Sequence, residues 1–199
     1  IKTKSVAYKL KLSKLAVCFF AIMAILWMTY FRMTPWECIY YFFTYFGDSI
    51  PSMGIAYALF AVILFVNKGY IWLLIPILQT CIYQLGYFNS NSSEGTIYHV
   101  AVIVGLCSPV LLLVMVLISE VKACARFKVV TQKFWWLPGT SRFIWYVLYE
   151  GVYMRSNLTD VIEYGDLFPV IFLLEFLAYY LVGYVVAYSN ERDQNPVQE

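Results

Sequence analysis

Few side chains in this sequence could do chemistry, and the most informative of them is an acid in a place where acids are costly. Glu175 lies near the middle of the apolar run Leu167 to Tyr188. Surrounded by hydrocarbon, a lone carboxylate is either strongly destabilising or driven to its neutral form, so a partner must compensate it. Helical spacing puts Ala178 and Tyr179 on its face with Gly183 close by, small and polar neighbours that let another helix approach. Two readings follow. Glu175 contacts a proton, cation or substrate in a bundle interior, or it is a neutral acid bonded to a neighbouring helix as structural glue.

A second polar stripe comprises Gln79, Thr80, Tyr83 and Gln84, preceded by Pro76, which cannot donate to the carbonyl of Trp72. A carbonyl freed at membrane depth is a possible ligand. Gly105, Ser108 and Pro109 repeat the device in the next apolar run, and interrupted helices facing a cavity are one way transporters build binding sites. Packing is the competing account, because Gly and Pro are frequent in membrane helices. Glu175, Tyr179, Gln79, Gln84 and His99 are therefore the candidate substrate- or ion-binding residues.

Catalysis and metal binding find less support. His99 and Cys107 pair a base with a nucleophile, but eight residues of unbroken helix separate them by about 12 Å and roughly 80° of rotation, too far for direct proton transfer. Asp160, Glu163 and Asp166 recur every third residue, yet Gly165 argues for a loop and no calcium-loop pattern is present, so they read as a solvated rim. One histidine and no paired cysteines make no zinc site. No phosphate-binding glycine loop, dinucleotide fingerprint or nucleophile elbow occurs, and no cofactor is expected. Asn91-Ser92-Ser93 and Asn157-Leu158-Thr159 match the glycosylation acceptor, a pattern that matters only in a secretory membrane.

The elements that must position these residues follow from hydropathy. The chain is 62% hydrophobic and only 13% charged, where soluble domains carry roughly 25% charge. A single bundle of 199 residues cannot bury that much apolar surface, so much of it must face lipid. Cys18, Cys38, Cys81, Cys107 and Cys124 form no close pair, which excludes a disulfide framework. The net charge of +2 is spread beside apolar runs instead of forming a basic face, so nucleic acid is not an expected partner.

The expected fold is an all-α, polytopic integral membrane bundle of five to six transmembrane helices, one domain over 1–188 with a polar tail at 189–199. The spans fall at about 15–31, 52–66, 70–87, 96–118 and 167–188, with 140–154 as the sixth candidate. Lys2, Lys4, Lys9, Lys11 and Lys14 precede the first run like a secretory signal, but its length and the following Arg32-Met33-Thr34-Pro35-Trp36 predict a retained anchor with a cytoplasmic N-terminus. Pro35 to Phe46 is aromatic and only about 12 residues long, ~18 Å as helix, so it predicts a short interfacial or re-entrant helix on the outer side. Gly47 ends it, and Asp48 and Ser49 are placed to cap the next helix ahead of Pro51. Asn67-Lys68-Gly69 predicts a tight turn. The loop 88–95 has no Lys or Arg, whereas Lys122, Arg126, Lys128 and Lys133 follow the fourth span, an alternation that suits the positive-inside rule. Between 134 and 154, Pro138-Gly139, Arg142 and Glu150 interrupt the apolar pattern while Trp135, Trp136, Trp145, Tyr146, Tyr149 and Tyr153 favour the interface, leaving a crossing and an interfacial segment both open.

The leading functional expectation is a membrane-embedded transport component for a small molecule or ion in the cell membrane, working with other membrane subunits or as a homo-oligomer. A non-catalytic structural or regulatory subunit is the alternative, and an intramembrane enzyme acting on lipid or peptide is a further one.

Overall fold

Backbone polar groups in long apolar runs are satisfied internally when the runs coil into helices, and helices are what form. A computed structural model describes residues 2–44, 52–66, 70–90, 95–121, 126–154 and 167–189, with no strand among them. In chain order they make α1 (Lys2–Tyr30), α2 (Pro35–Thr44), α3 (Ser52–Val66), a 3-10 turn (Tyr70–Leu73) leading into α4 (Leu74–Ser90), α5 (Thr96–Glu120), α6 (Lys128–Lys133), α7 (Leu137–Tyr146), a π-helical stretch (Val147–Met154) and α8 (Leu167–Ser189). The expected cap at Gly47, Asp48, Ser49 and Pro51, the turn Asn67-Lys68-Gly69, Lys122, both glycosylation acceptors, the acids Asp160, Glu163 and Asp166, and the tail beyond Ser189 lie outside the described residues.

Three helices are long and apolar enough to cross a membrane, Ile71–Asn89, Thr96–Glu120 and Val170–Tyr188, and the bent pair Lys14–Tyr30 with Pro35–Thr44 makes a fourth if it counts as one span. α5, at 25 residues, is about 37 Å long against a hydrocarbon layer of about 30 Å. α3 is apolar but has only 15 residues. The stretch 134–154 is not one continuous apolar helix: a turn at 134–136 precedes α7, and the coil then widens into the π-helical stretch. These helices are compatible with a multi-pass membrane protein.

The corner between α1 and α2 is closed by local hydrogen bonds. Arg32 adopts a left-handed conformation, with φ 52°, so that the N–H of Met33 reaches the carbonyl of Met28 at 3.0 Å and that of Arg32 reaches Thr29 at 3.1 Å, a Schellman ending with Arg where Gly is usual. Thr34 then caps α2: the Glu37 carboxylate accepts from the Thr34 N–H at 2.7 Å and from its hydroxyl at 2.8 Å, while the Thr34 hydroxyl oxygen accepts from the Glu37 N–H at 3.3 Å. Those bonds hold the exposed Glu37 carboxyl below the usual carboxylate range. Pro35 at the first helical position has no N–H to leave unpaired there. The result is a 91° bend between the two helices.

Pro76 falls within the first turn of α4, just after the 3-10 turn. It therefore marks a helix entrance, where a missing N–H costs least, and not the mid-helix break that the sequence suggested. Thr80 returns its hydroxyl to the Pro76 carbonyl at 2.8 Å.

Packing brings α1 against α3 and α8, α5 against α4 and α7, and α7 against α8. Gly183 of α8 lies so close to the chain before α7 that an added Cβ would stand 2.3 Å from the Trp135 carbonyl oxygen, and a Cβ on Gly139 would meet the Tyr180 ring at 2.3 Å. Without those two glycines α7 could not approach α8 this closely. The outward stripes are apolar: Ile75, Leu78, Ile82 and Leu85 on α4, Ile103, Val110 and Val114 on α5, Val170, Leu173 and Leu177 on α8. Gln79, Thr80, Gln84, Ser108, Arg142 and Glu175 are turned inward instead. Polar groups inside and apolar groups outside is the arrangement that a lipid surrounding favours.

Candidate functional site

On α7 the buried residues Pro138, Arg142 and Trp145, followed by Tyr149, recur at helical spacing and form one inward stripe. On α8 the corresponding stripe is Ile171, Glu175, Ala178 and Val182. Where the two meet, Arg142 Nη2 donates to Glu175 Oε1, and the hydroxyl of Tyr57 on α3 donates to the same oxygen. Both charges are out of contact with solvent, Glu175 at 0% and Arg142 at 2% exposure. The guanidinium carbon also lies 4.1 Å from the centre of the Trp145 ring and 5.5 Å from that of Tyr179, where aromatic faces attract cations.

The pair is satisfied on one edge only. Glu175 Oε2, Arg142 Nε and Nη1, and the Trp145 indole nitrogen are buried with no hydrogen-bond partner. Each such orphan costs on the order of 1–3 kcal/mol, so four of them together require explanation. All three residues border a cavity of about 40 Å³ that Gln84, Tyr83, Tyr87 and Tyr149 also line. Trp27 and Phe172 close it with apolar rings. The Tyr87 and Tyr149 hydroxyls, 3.2 Å apart, tie α4 to the π-helical stretch beside it.

Gly105 of α5 makes room for this arrangement. An added Cβ there would stand 2.6 Å from Trp145 Cδ1, 2.8 Å from its Nε1 and 3.0 Å from Gln84 Oε1. The indole and the amide therefore meet over bare backbone. Ser141 donates to the Val104 carbonyl at 2.9 Å, and the Thr140 and Tyr180 hydroxyls are 2.7 Å apart, fixing α7 to α5 on one side and α8 on the other.

Of the residues singled out in the sequence, Glu175 and Gln84 line the cavity, and Tyr179 flanks it through the Arg142 guanidinium. Gln79 is fully buried but does not line it. His99 lies elsewhere on α5, its ring 5.2 Å from that of Phe88 and 5.8 Å from that of Tyr98, with Nδ1 unpartnered. α5 runs unbroken past Cys107, whose side chain is exposed, so the separation between imidazole and thiol stands. Ser108 is buried with its hydroxyl unpartnered, outside the cavity. No group of three His, Cys, Asp or Glu side chains that could hold a metal occurs among the described residues.

Sequence reasoning missed Arg142 as the counter-charge. The signal was present: a cation at helical spacing from Trp145 and Tyr149, inside an interrupted apolar stretch, matches the need of a mid-helix acid. Tyr57 carried no comparable signal, being one tyrosine among 18.

Chemically, the site offers hydrogen-bond donors on Arg142 and Trp145 and an acceptor on Glu175, within a small aromatic enclosure of no net charge from the pair. No family model matches the chain, and no match is found among curated proteins or solved structures.

Proposed function

We propose that this chain is a membrane-embedded transport component whose interior site is the cavity bordered by Arg142, Glu175 and Trp145. The observation that carries the reading is the one-sided satisfaction of the buried ion pair. A pair serving as structural glue has its hydrogen-bonding edges filled, whereas here both residues border the void and each keeps buried polar atoms without a partner. Polar groups at mid-helix depth, facing a void between helices, suit a conduit.

In this reading α1, α3, α4, α5 and α8 cross the membrane, α2 lies along its outer face, and α7 with its π-helical stretch makes the sixth crossing. Ser141 and Trp145 meet α5 near Val104 and Gly105, well inside α5, and Arg142 meets α8 at Glu175, well inside α8. The N-terminus is then cytoplasmic, on the same side as Arg126, Lys128 and Lys133, in keeping with the positive-inside rule. Small-molecule or ion flux in proteoliposomes tests the function. Glu175→Gln is expected to abolish transport while the protein remains monodisperse, and unchanged transport by that variant would overturn the reading.

A role as a structural or regulatory subunit draws support from α2, where Trp36 is 78% and Phe43 76% exposed. Aromatic rings also favour the membrane interface for their own sake, so this reading requires stable co-purification with another chain.

A further inference from the structure

We propose that α6 and the residues flanking it seat on anionic phospholipid headgroups at the surface of the bilayer. The proposal rests on the membrane placement of α5 and α8 and is independent of transport.

Its position in the fold sets the level. The apolar helices Thr96–Glu120 and Val170–Tyr188 are each long enough to cross a membrane, and α6 packs against both α5 and α8. The hydroxyl of Tyr188, the last residue of its span, donates to the Gln132 carbonyl of α6 at 3.2 Å. α6 also follows the end of α5 along the chain. It is therefore fixed where these helices leave the hydrocarbon, which is the depth of the headgroups.

The two sides of α6 differ. Thr131 is buried, its hydroxyl returned to the Lys128 carbonyl at 2.8 Å, and Lys128 and Gln132 beside it are half-buried. The outward side carries Val129, Val130 and Lys133, which helical spacing gathers within about 100° of arc. Val129 is 67% exposed, and Phe127, just ahead of the helix, 56%. Phe134 and Trp136, just after it, are exposed as well. Water is a poor surrounding for so many apolar side chains on one short segment, and hydrocarbon is a poor one for its cations. The boundary suits both, because the valines and rings can meet acyl chains while Arg126, Lys128 and Lys133 extend to phosphates.

Charge gives the class of headgroup. Among the described residues from Glu120 to Trp136 there are three cations, Arg126, Lys128 and Lys133, and Glu120 is the single acid. The segment is net positive and attracts anionic lipid over zwitterionic lipid. A protein partner fits this face less well: lysine is depleted from the cores of protein interfaces, whereas here Lys133 shares a face with two valines.

The test places the purified full chain in phosphatidylcholine nanodiscs that carry either photoactivatable phosphatidylglycerol or photoactivatable phosphatidylcholine, and maps the adducts by peptide mass spectrometry. Adducts of the anionic probe are expected to concentrate on 126–136, with those of the zwitterionic probe spread over the outward faces of the spans. The combined variant Arg126→Gln, Lys128→Gln and Lys133→Gln should lower the anionic yield there by about fivefold for each charge removed. Added salt should lower it in the wild type, and soluble glycerol phosphate should not compete. Equal yields from the two probes on 126–136, a combined variant that labels like the wild type, labelling indifferent to salt, competition by glycerol phosphate, or a second protein chain cross-linked through this face in place of lipid would each overturn the proposal. Failure of the chain to enter nanodiscs would overturn the membrane placement with it, whereas loss of anionic preference in an inserted chain removes the proposal alone.

Discussion

α5 and the segment Leu137–Met154 pack against each other, yet they reach their places in the fold by opposite means. α5 is a continuous helix of 25 residues, apolar over most of its length, with Pro109 accommodated inside it. Its outward side chains are aliphatic and its placement asks little of its neighbours. The α7 segment is short, begins after a turn, changes to a wider coil after Tyr146, and buries a guanidinium. Nothing in its own hydropathy would hold it there. It is held by contacts made elsewhere: the Glu175 carboxylate, the bare backbone of Gly183 and Gly105, and the Val104 carbonyl. One helix is thus specified by its sequence, and the other by the surfaces that receive it.

That contrast can be broken most directly at the ion pair. Arg142→Leu strands Glu175 in the interior and is expected to cost about 3–5 kcal/mol, measured by reversible unfolding in mixed micelles. Arg142→Gln combined with Glu175→Gln should cost clearly less, because no uncompensated charge remains. A double variant no more stable than the single would show that α7 does not depend on the pair. Next in size is Gly183→Ala, whose methyl would meet the backbone carbonyl of Trp135, a group that cannot swing aside; about 2–3 kcal/mol is expected in the same assay. Gly105→Ala sharpens the point, since the obstacle there is a side chain. The Trp145 ring can shift at a cost of about 1–2 kcal/mol, and a change in tryptophan emission should accompany it. On the outer face of α5, Cys107→Ala should alter stability by no more than about 0.5 kcal/mol.

The same contrast explains what could be read from the residues alone. The runs that became α3, α4, α5 and α8 were legible because hydrophobic length is a local property. Glu175 was legible as a group needing compensation, and Gly183 as a place of close approach, since both depend on one helix. The identities of their partners were not. Arg142 lies 33 residues from Glu175 in sequence, and hydropathy does not say which helices are neighbours. Gln79, Thr80 and Gln84 read as one polar stripe and are all buried, but only Gln84 reaches the cavity, because which part of a stripe meets a void depends on how the opposing helices cross. The end of α1 was legible as the close of the apolar run at Phe31, whereas the reciprocal bonds of Thr34 and Glu37 were an unread capping signature.

The π-helical stretch has a bearing on how this chain can vary in length. In such a coil each backbone bond closes one residue further along than in an α-helix, so an extra residue is absorbed where regular winding would have none. Removing one residue of that stretch after Tyr149 would let the coil relax towards ordinary winding while everything before it, Tyr149 included, keeps its orientation. An equal deletion between Leu137 and Ser141 would turn the guanidinium by about 100° relative to the start of the helix, away from its acid. Single-residue deletions should therefore be borne beyond Tyr149 and rejected ahead of Arg142.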